Sequence, residues 1–228
     1  MAKFPWYEYP QLFCLNFVVK IRNLIEHCRV IKRYYPNPTF KKVDRTLLGK
    51  YFFRSPFAIS KDFLIQKGES DIYAYGETPL TTLEMISKEC ELNSRDVVYE
   101  LGCGRGRGCF WLHCFIGCRM VGIEYIPDFV DIADSIRDRF ALQNIEFRLG
   151  DILKGKYAEA TVIYLYGTCY EDQFINKLLK RFSKLPKGKK IITVSFPLTD
   201  YSSNFEVIKQ FSAPFTWGHG DVYLHVKL

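Results

Sequence analysis

An α/β fold built on a seven-stranded sheet, mostly parallel and finished by an antiparallel C-terminal hairpin, is predicted by three features of the sequence. From residue 78 onward, short apolar runs alternate with segments of helical periodicity, the pattern of strands joined by helical crossovers. A glycine-rich stretch, Gly102 to Gly108, stands where the first of those strands gives way to a helix. The last two apolar runs have no long helical pattern between them, which fits a hairpin and not another crossover.

The elements follow in order. Leu12, Leu15, Val18, Ile21 and Ile25 recur at helical spacing and predict an amphipathic helix ending before Tyr34. Pro36, Pro38 and the run Lys41 to Arg45 read as a basic connector, and Tyr51-Phe52-Phe53 as an aromatic piece packing on the main domain. Thr78-Pro79 opens a helix to about Cys90, with the proline in the first turn where it is tolerated. Strands are then expected at 96–101, 119–124, 145–149, 161–166, 190–195, 205–211 and 221–227. Helices are expected up to Phe115, from Asp128 to Leu142 and from Glu171 to Leu185.

Charge divides the chain. Its 228 residues carry a net +7, yet residues 1–70 hold 13 Lys/Arg against 5 Asp/Glu, so the whole basic excess lies there. Two regions are therefore expected: a basic, partly helical extension over 1–70 and the α/β domain over 71–228. A hydrophobic fraction of 48% supplies a sizeable core and excludes a largely disordered chain. The apolar stretch Leu12 to Val19 is far short of the ~20 residues needed to span a bilayer. Eight cysteines without C-x-x-C spacing read as reduced thiols filling a core, so no metal is expected.

The chemistry lies at the strand ends. In Glu100-Leu101-Gly102-Cys103-Gly104-Arg105-Gly106-Arg107-Gly108, the glycines allow a tight turn and close approach of a ligand to a helix N-terminus. The spacing is not G-x-G-x-x-G, and no Lys-Ser or Lys-Thr follows, so neither a dinucleotide fingerprint nor a Walker loop is present. Glu124 ends the next strand and Gly150-Asp151 the third, giving three successive strand ends with an acid. A carboxylate there repels a pyrophosphate but favours a cationic ligand.

The acid-x-Gly-x-Gly-x-Gly pattern resembles the first motif of class I S-adenosylmethionine-dependent methyltransferases, which carry a Rossmann-like sheet. Upstream, Tyr75-Gly76-Glu77-Thr78 is similar to the Y-G-E-T box of the disruptor-of-telomeric-silencing, non-SET histone lysine methyltransferases. Further matches to that family are Thr161 to Tyr164, Leu178 to Phe182, Lys187 to Ile191, Ser195 to Leu198, Phe215 to Gly218 and Val222 to His225, so the resemblance covers about residues 73 to 228. It implies an S-adenosyl-L-methionine cofactor and a protein substrate with an acceptor lysine, a histone among the expected ones. Tyr75, Glu77 and Thr78 would fold over the cofactor. Glu100, Gly102, Gly104 and Gly106 would bind its methionine part, Glu124 and Tyr125 its ribose side, and Asp151 and Ile152 its adenine. Tyr166, Tyr170, Trp217 and Tyr223 would form the acceptor channel.

The sequence departs from that family on the acceptor side. Where the family has V-N-N-F-A-F, this chain has Leu165-Tyr166-Gly167-Thr168-Cys169-Tyr170, and Val222 replaces a tyrosine. Methylation of a nucleic acid or small molecule, and a non-catalytic binding protein on the same scaffold, stand as alternative readings. The Asp/Asn-Pro-Pro-Tyr signature of base-amine methyltransferases is absent. His113 and His225 read as structural. Basic residues 20–45 are expected to contact nucleic acid or a nucleosome, and the expected location is cytoplasmic, or nuclear, including a host nucleus.

Overall fold

The computed structural model describes residues 9–167 and 170–228, with side chains described from Phe17 onward. Three helices come first: α1 (Tyr9–Tyr34), α2 (Pro38–Lys50) and α3 (Pro56–Lys67). The remaining elements are α4 (Leu80–Glu89), β1 (Val97–Leu101), α5 (Arg107–Phe115), β2 (Arg119–Glu124), α6 (Pro127–Arg139), β3 (Ile145–Leu149), β4 (Val162–Leu165), α7 (Asp172–Phe182), β5 (Lys190–Val194), β6 (Phe205–Phe215) and β7 (Gly218–Lys227).

The seven strands form one sheet in the order β3-β2-β1-β4-β5-β7-β6. The first five are mutually parallel, and β7 pairs antiparallel with both β5 and β6. Chain order reverses between β1 and β4, so a crevice opens beyond the carboxyl ends of those strands, the usual ligand position in an open α/β sheet. Strand alternation divides the core. On one face Val98, Met120, Val162 and Ile192 pack with Phe110 and Trp111; on the other Tyr99, Val121, Ile163 and Ile191 pack with Leu178 and Phe182.

Residues 38–50 are helical and not a connector. Asn37 caps the helix by accepting from Phe40 N at 3.0 Å, and Pro38 sits in its first turn, where its missing N–H costs nothing. Phe40, Val43 and Leu47 then recur on one face and are fully buried. Helix α3 has the same design, with Ser55 accepting from Ala58 N and Gly68 closing it in the left-handed region. Between them only Tyr51 of the aromatic trio is buried; Phe52 and Phe53 are exposed. Pro79 is the residue before α4, not inside it. Val30, Tyr34 and Phe40 join the same core cluster as Trp111, so the basic segment packs on the α/β unit.

Gly106 shows how tightly the turn after β1 is fitted. It has φ +76°, and an added Cβ would lie 2.4 Å from the Phe147 ring. Gly106→Ala combines a left-handed penalty with a clash and is expected to cost about 2–5 kcal/mol in urea unfolding.

Candidate functional site

The site begins with β1, whose alternation turns Glu100 to the same face as Val98, where α5 covers it. The carboxylate is buried and accepts from Cys109 Sγ at 3.0 Å. A Cβ on Gly108 would lie 2.9 Å from one Glu100 oxygen, so only glycine leaves room there. Among the described residues no Lys or Arg pairs with Glu100. Burial raises its pKa to about 7; the Cys109 thiol works against the rise, and the Glu77 and Glu124 charges add to it.

Glu124, at the end of β2, is fixed by backbone. Oε2 accepts from Gly104 N at 2.7 Å, while Oε1 accepts from Tyr125 N at 2.7 Å and Ile126 N at 2.9 Å. Burial raises its pKa, and these N–H groups oppose the shift. One side chain therefore joins the glycine turn after β1 to the start of α6. One lone pair, on Oε2, remains for a ligand hydroxyl.

The segment before α4 closes over this turn. An added Cβ on Gly104 would lie 3.3 Å from the Tyr75 ring. Tyr75 donates to Glu77 at 2.5 Å, and Arg105 grips Glu77 from Nε and Nη2 at 2.6 and 2.8 Å. Burial acts to raise the Glu77 pKa, but Arg105 holds it below the usual carboxylate value. Glu77 thus pins its own segment to the glycine turn instead of presenting a free carboxylate. Thr78 shares a 2.5 Å hydrogen bond with the Tyr164 hydroxyl. Arg107 makes the matching pair to Asp44 of α2, at 2.7 and 2.9 Å, and Tyr35 also donates to Asp44. The sequence reading missed Arg105, Arg107, Asp44, Cys109 and Tyr164. Arginines alternating with the glycines were the available signal.

On the β3 side, Asp151 Oδ1 accepts from Leu153 N at 2.8 Å, and Ile152 is buried beside Leu101 and Ile123. Tyr125 is exposed and meets the Phe63 ring of α3 edge-on at 5.3 Å.

Beyond β4 the aromatics gather. Tyr166 stacks on Phe215, Phe215 on Trp217, and Trp217 Nε1 donates to the Tyr166 hydroxyl at 3.0 Å. A Cβ on Gly76 would lie 3.1 Å from the Tyr166 ring, which places this stack against the Tyr75–Thr78 segment. The Tyr170 hydroxyl reaches within 3.7 Å of where a Gly102 Cβ would stand, and its ring stacks on Phe174. Thr168 and Cys169 lie outside the described residues. Tyr223 stands on the face of β7 opposite the core that holds Tyr166 and Phe215. Val222 and Leu224 face the core that contains Phe215, so strand alternation turns Tyr223 to the opposite face, near Gln210 and His225. His225 is buried, accepting from Leu198 N and donating to the Ile191 carbonyl, which makes it structural.

A family model described as a methyltransferase domain matches residues 92–223. A histone-lysine N-methyltransferase, H3 lysine-79 specific, from Dictyostelium discoideum is 27% identical over 135 residues, covering 53% of this chain and 7% of that protein. A protein-L-isoaspartate O-methyltransferase from Archaeoglobus fulgidus is 29% identical over 130 residues, covering 53% of this chain and 56% of the relative. The chain thus spans little more than half of the second relative and a small part of the first. Among solved structures, an RNA methyltransferase from Salinibacter ruber in complex with S-adenosyl-L-homocysteine superposes with a TM-score of 0.56 at 25% identity, covering 67% of this chain and 94% of that one.

Proposed function

Since the chain belongs to the methyltransferase-domain family and uses S-adenosyl-L-methionine, we propose that its acceptor is the side-chain amine of a protein lysine, a histone lysine among the candidates. The observation that carries this reading is the Tyr166–Phe215–Trp217 stack, set against the Tyr75–Thr78 segment at the mouth of the crevice. The similarity to the Dictyostelium histone-lysine enzyme supports it.

The residues present fit the cofactor. Glu100, buried without a counterion, would hold the methionine ammonium, and Glu124 a ribose hydroxyl. Asp151 and Ile152 would flank the adenine. When bound, the cofactor supplies a methyl group on a sulfonium, a reactive electrophile whose leaving group is a neutral thioether. The protein's own work is alignment and exclusion of water. Aromatic faces suit both the lysine alkyl chain and a methylated ammonium. An apolar surround also lowers the amine pKa, exposing the lone pair that must attack.

The test is incubation of the full chain with methyl-labelled cofactor and nucleosomes, free histones or a cell lysate. Label in protein is expected, and label recovered only in RNA or small molecules contradicts the proposal. Trp217→Ala removes an aromatic wall without touching Glu100 or Glu124. It is expected to lower kcat/KM for the protein substrate about tenfold or more with cofactor affinity unchanged.

A further inference from the structure

Helix α1 has two faces, and only one is used by the fold. Val30 and Tyr34 are buried, and Glu26 turns inward to accept from Thr81 N at 3.0 Å and from its hydroxyl at 2.6 Å. Arg33 is likewise engaged, with Glu84 at 2.7 Å. On the other side Phe17, Val18, Ile21, Leu24, Ile25 and Ile31 are exposed, Phe17 at 58% and Leu24 at 63%. At 3.6 residues per turn these six positions fall within about 140° of one another, a single broad apolar strip.

The charges on and beside the strip have one sign. Lys20, Arg22, Arg29 and Lys32 are exposed, Lys32 within the strip and Arg22 donating to the Thr216 carbonyl at 3.3 Å, while Glu26, the one acid between Phe17 and Tyr34, is spent on Thr81. The same composition recurs at the turn between α2 and α3. There Phe52 and Phe53 are 80% and 97% exposed, packed edge to face on each other, between Lys50 and an Arg54 that pairs with Asp62. No helix of the described residues is long and apolar enough to cross a membrane.

We infer that this segment docks the enzyme on an anionic phospholipid surface, with the apolar side chains entering the headgroup boundary and the cations meeting lipid phosphates. A basic helix with aliphatic and aromatic residues on its outer face is the form that lies in such an interface. Duplex nucleic acid would use the cations but leave the apolar strip in water. A second copy of α1 would set four cations against four. Of these three, the lipid surface satisfies both the charge and the apolar side chains, at two separate places in the chain. The inference stands apart from the identity of the methyl acceptor.

The full chain is to be sedimented with vesicles of phosphatidylcholine containing about 30% phosphatidylglycerol, and with phosphatidylcholine alone, at roughly 100 mM salt. Binding to the anionic vesicles is expected to be at least about tenfold tighter. F52S/F53S and I21Q/L24Q should each weaken it about tenfold, while a retained thermal shift with S-adenosylmethionine shows that the variants are folded. Should I21Q/L24Q fail to fold, F52S/F53S, changing only exposed rings, carries the test. The inference is overturned by vesicle binding that the folded variants leave unchanged, or by capture of duplex DNA with the vesicles left unbound. A dimer in light scattering that I21Q/L24Q abolishes, with no vesicle binding, also overturns it.

Discussion

Glu124→Ala is expected to weaken S-adenosylmethionine binding at least about 100-fold and to leave no measurable methyl transfer, because a charge-assisted hydrogen bond contributes about 1.5–3 kcal/mol and this carboxylate makes several. Three of its bonds hold the backbone of Gly104, Tyr125 and Ile126. Removing them loosens the glycine turn together with the start of α6 and deletes the acceptor for a ribose hydroxyl. Glu124→Gln should recover little, because an amide NH2 would face one of those backbone N–H groups. Equilibrium dialysis measures the loss, and circular dichroism checks that the fold persists. Unchanged affinity would remove Glu124 from the site.

Cofactor affinity is expected to fall as the pH drops below about 7, by about 15-fold between pH 7 and pH 5.5. With its pKa raised to about 7 by burial, Glu100 is largely protonated at the acid end of that range, and an incoming ammonium must expel the proton. Above about pH 8 the affinity declines again as the ligand's own α-amino group loses its charge. The ligand-free protein has the opposite dependence. A carboxyl with a raised folded pKa contributes stability that is complete below its unfolded value of 4.5 and lost as the pH rises through about 7. Glu100→Gln should remove the acid limb of the affinity profile and weaken binding at pH 7.5 about tenfold or more, since the amide offers the ammonium no charge. Affinity that follows the same pH curve in Glu100→Gln would assign the titration to another group.

Much of this site was legible because parallel strands announce themselves. β2, buried on both faces, reads as an apolar run, and the edge strand β3 as an alternation of apolar and charged residues; both were placed to the residue, and their ends located Glu124 and Asp151. The helices at 38–50 and 56–67 were not legible for a different reason. Pro36 and Pro38 were read as marking a connector, although a capping residue followed by proline, as in Asn37-Pro38 and Ser55-Pro56, starts a helix. In α3 the apolar residues Phe57, Ala58, Ile59, Phe63, Leu64 and Ile65 leave no single stripe to detect.

The ion pairs that brace the glycine turn were beyond the sequence because their partners are distant in the chain. Arg105 meets Glu77 across 28 positions and Arg107 meets Asp44 across 63. Only folding brings them together. The face that Tyr223 takes was readable from its neighbours: with Val222 and Leu224 turned to the core, a period of two sends the residue between them to the other face.

The most direct test of the account is the chemical form of the transferred methyl group. After reaction with methyl-labelled cofactor, the labelled protein is hydrolysed in acid and its amino acids are separated. The account predicts the label in N-methylated lysine. Label released by mild base as a methyl ester, or found only in nucleotides, would contradict it.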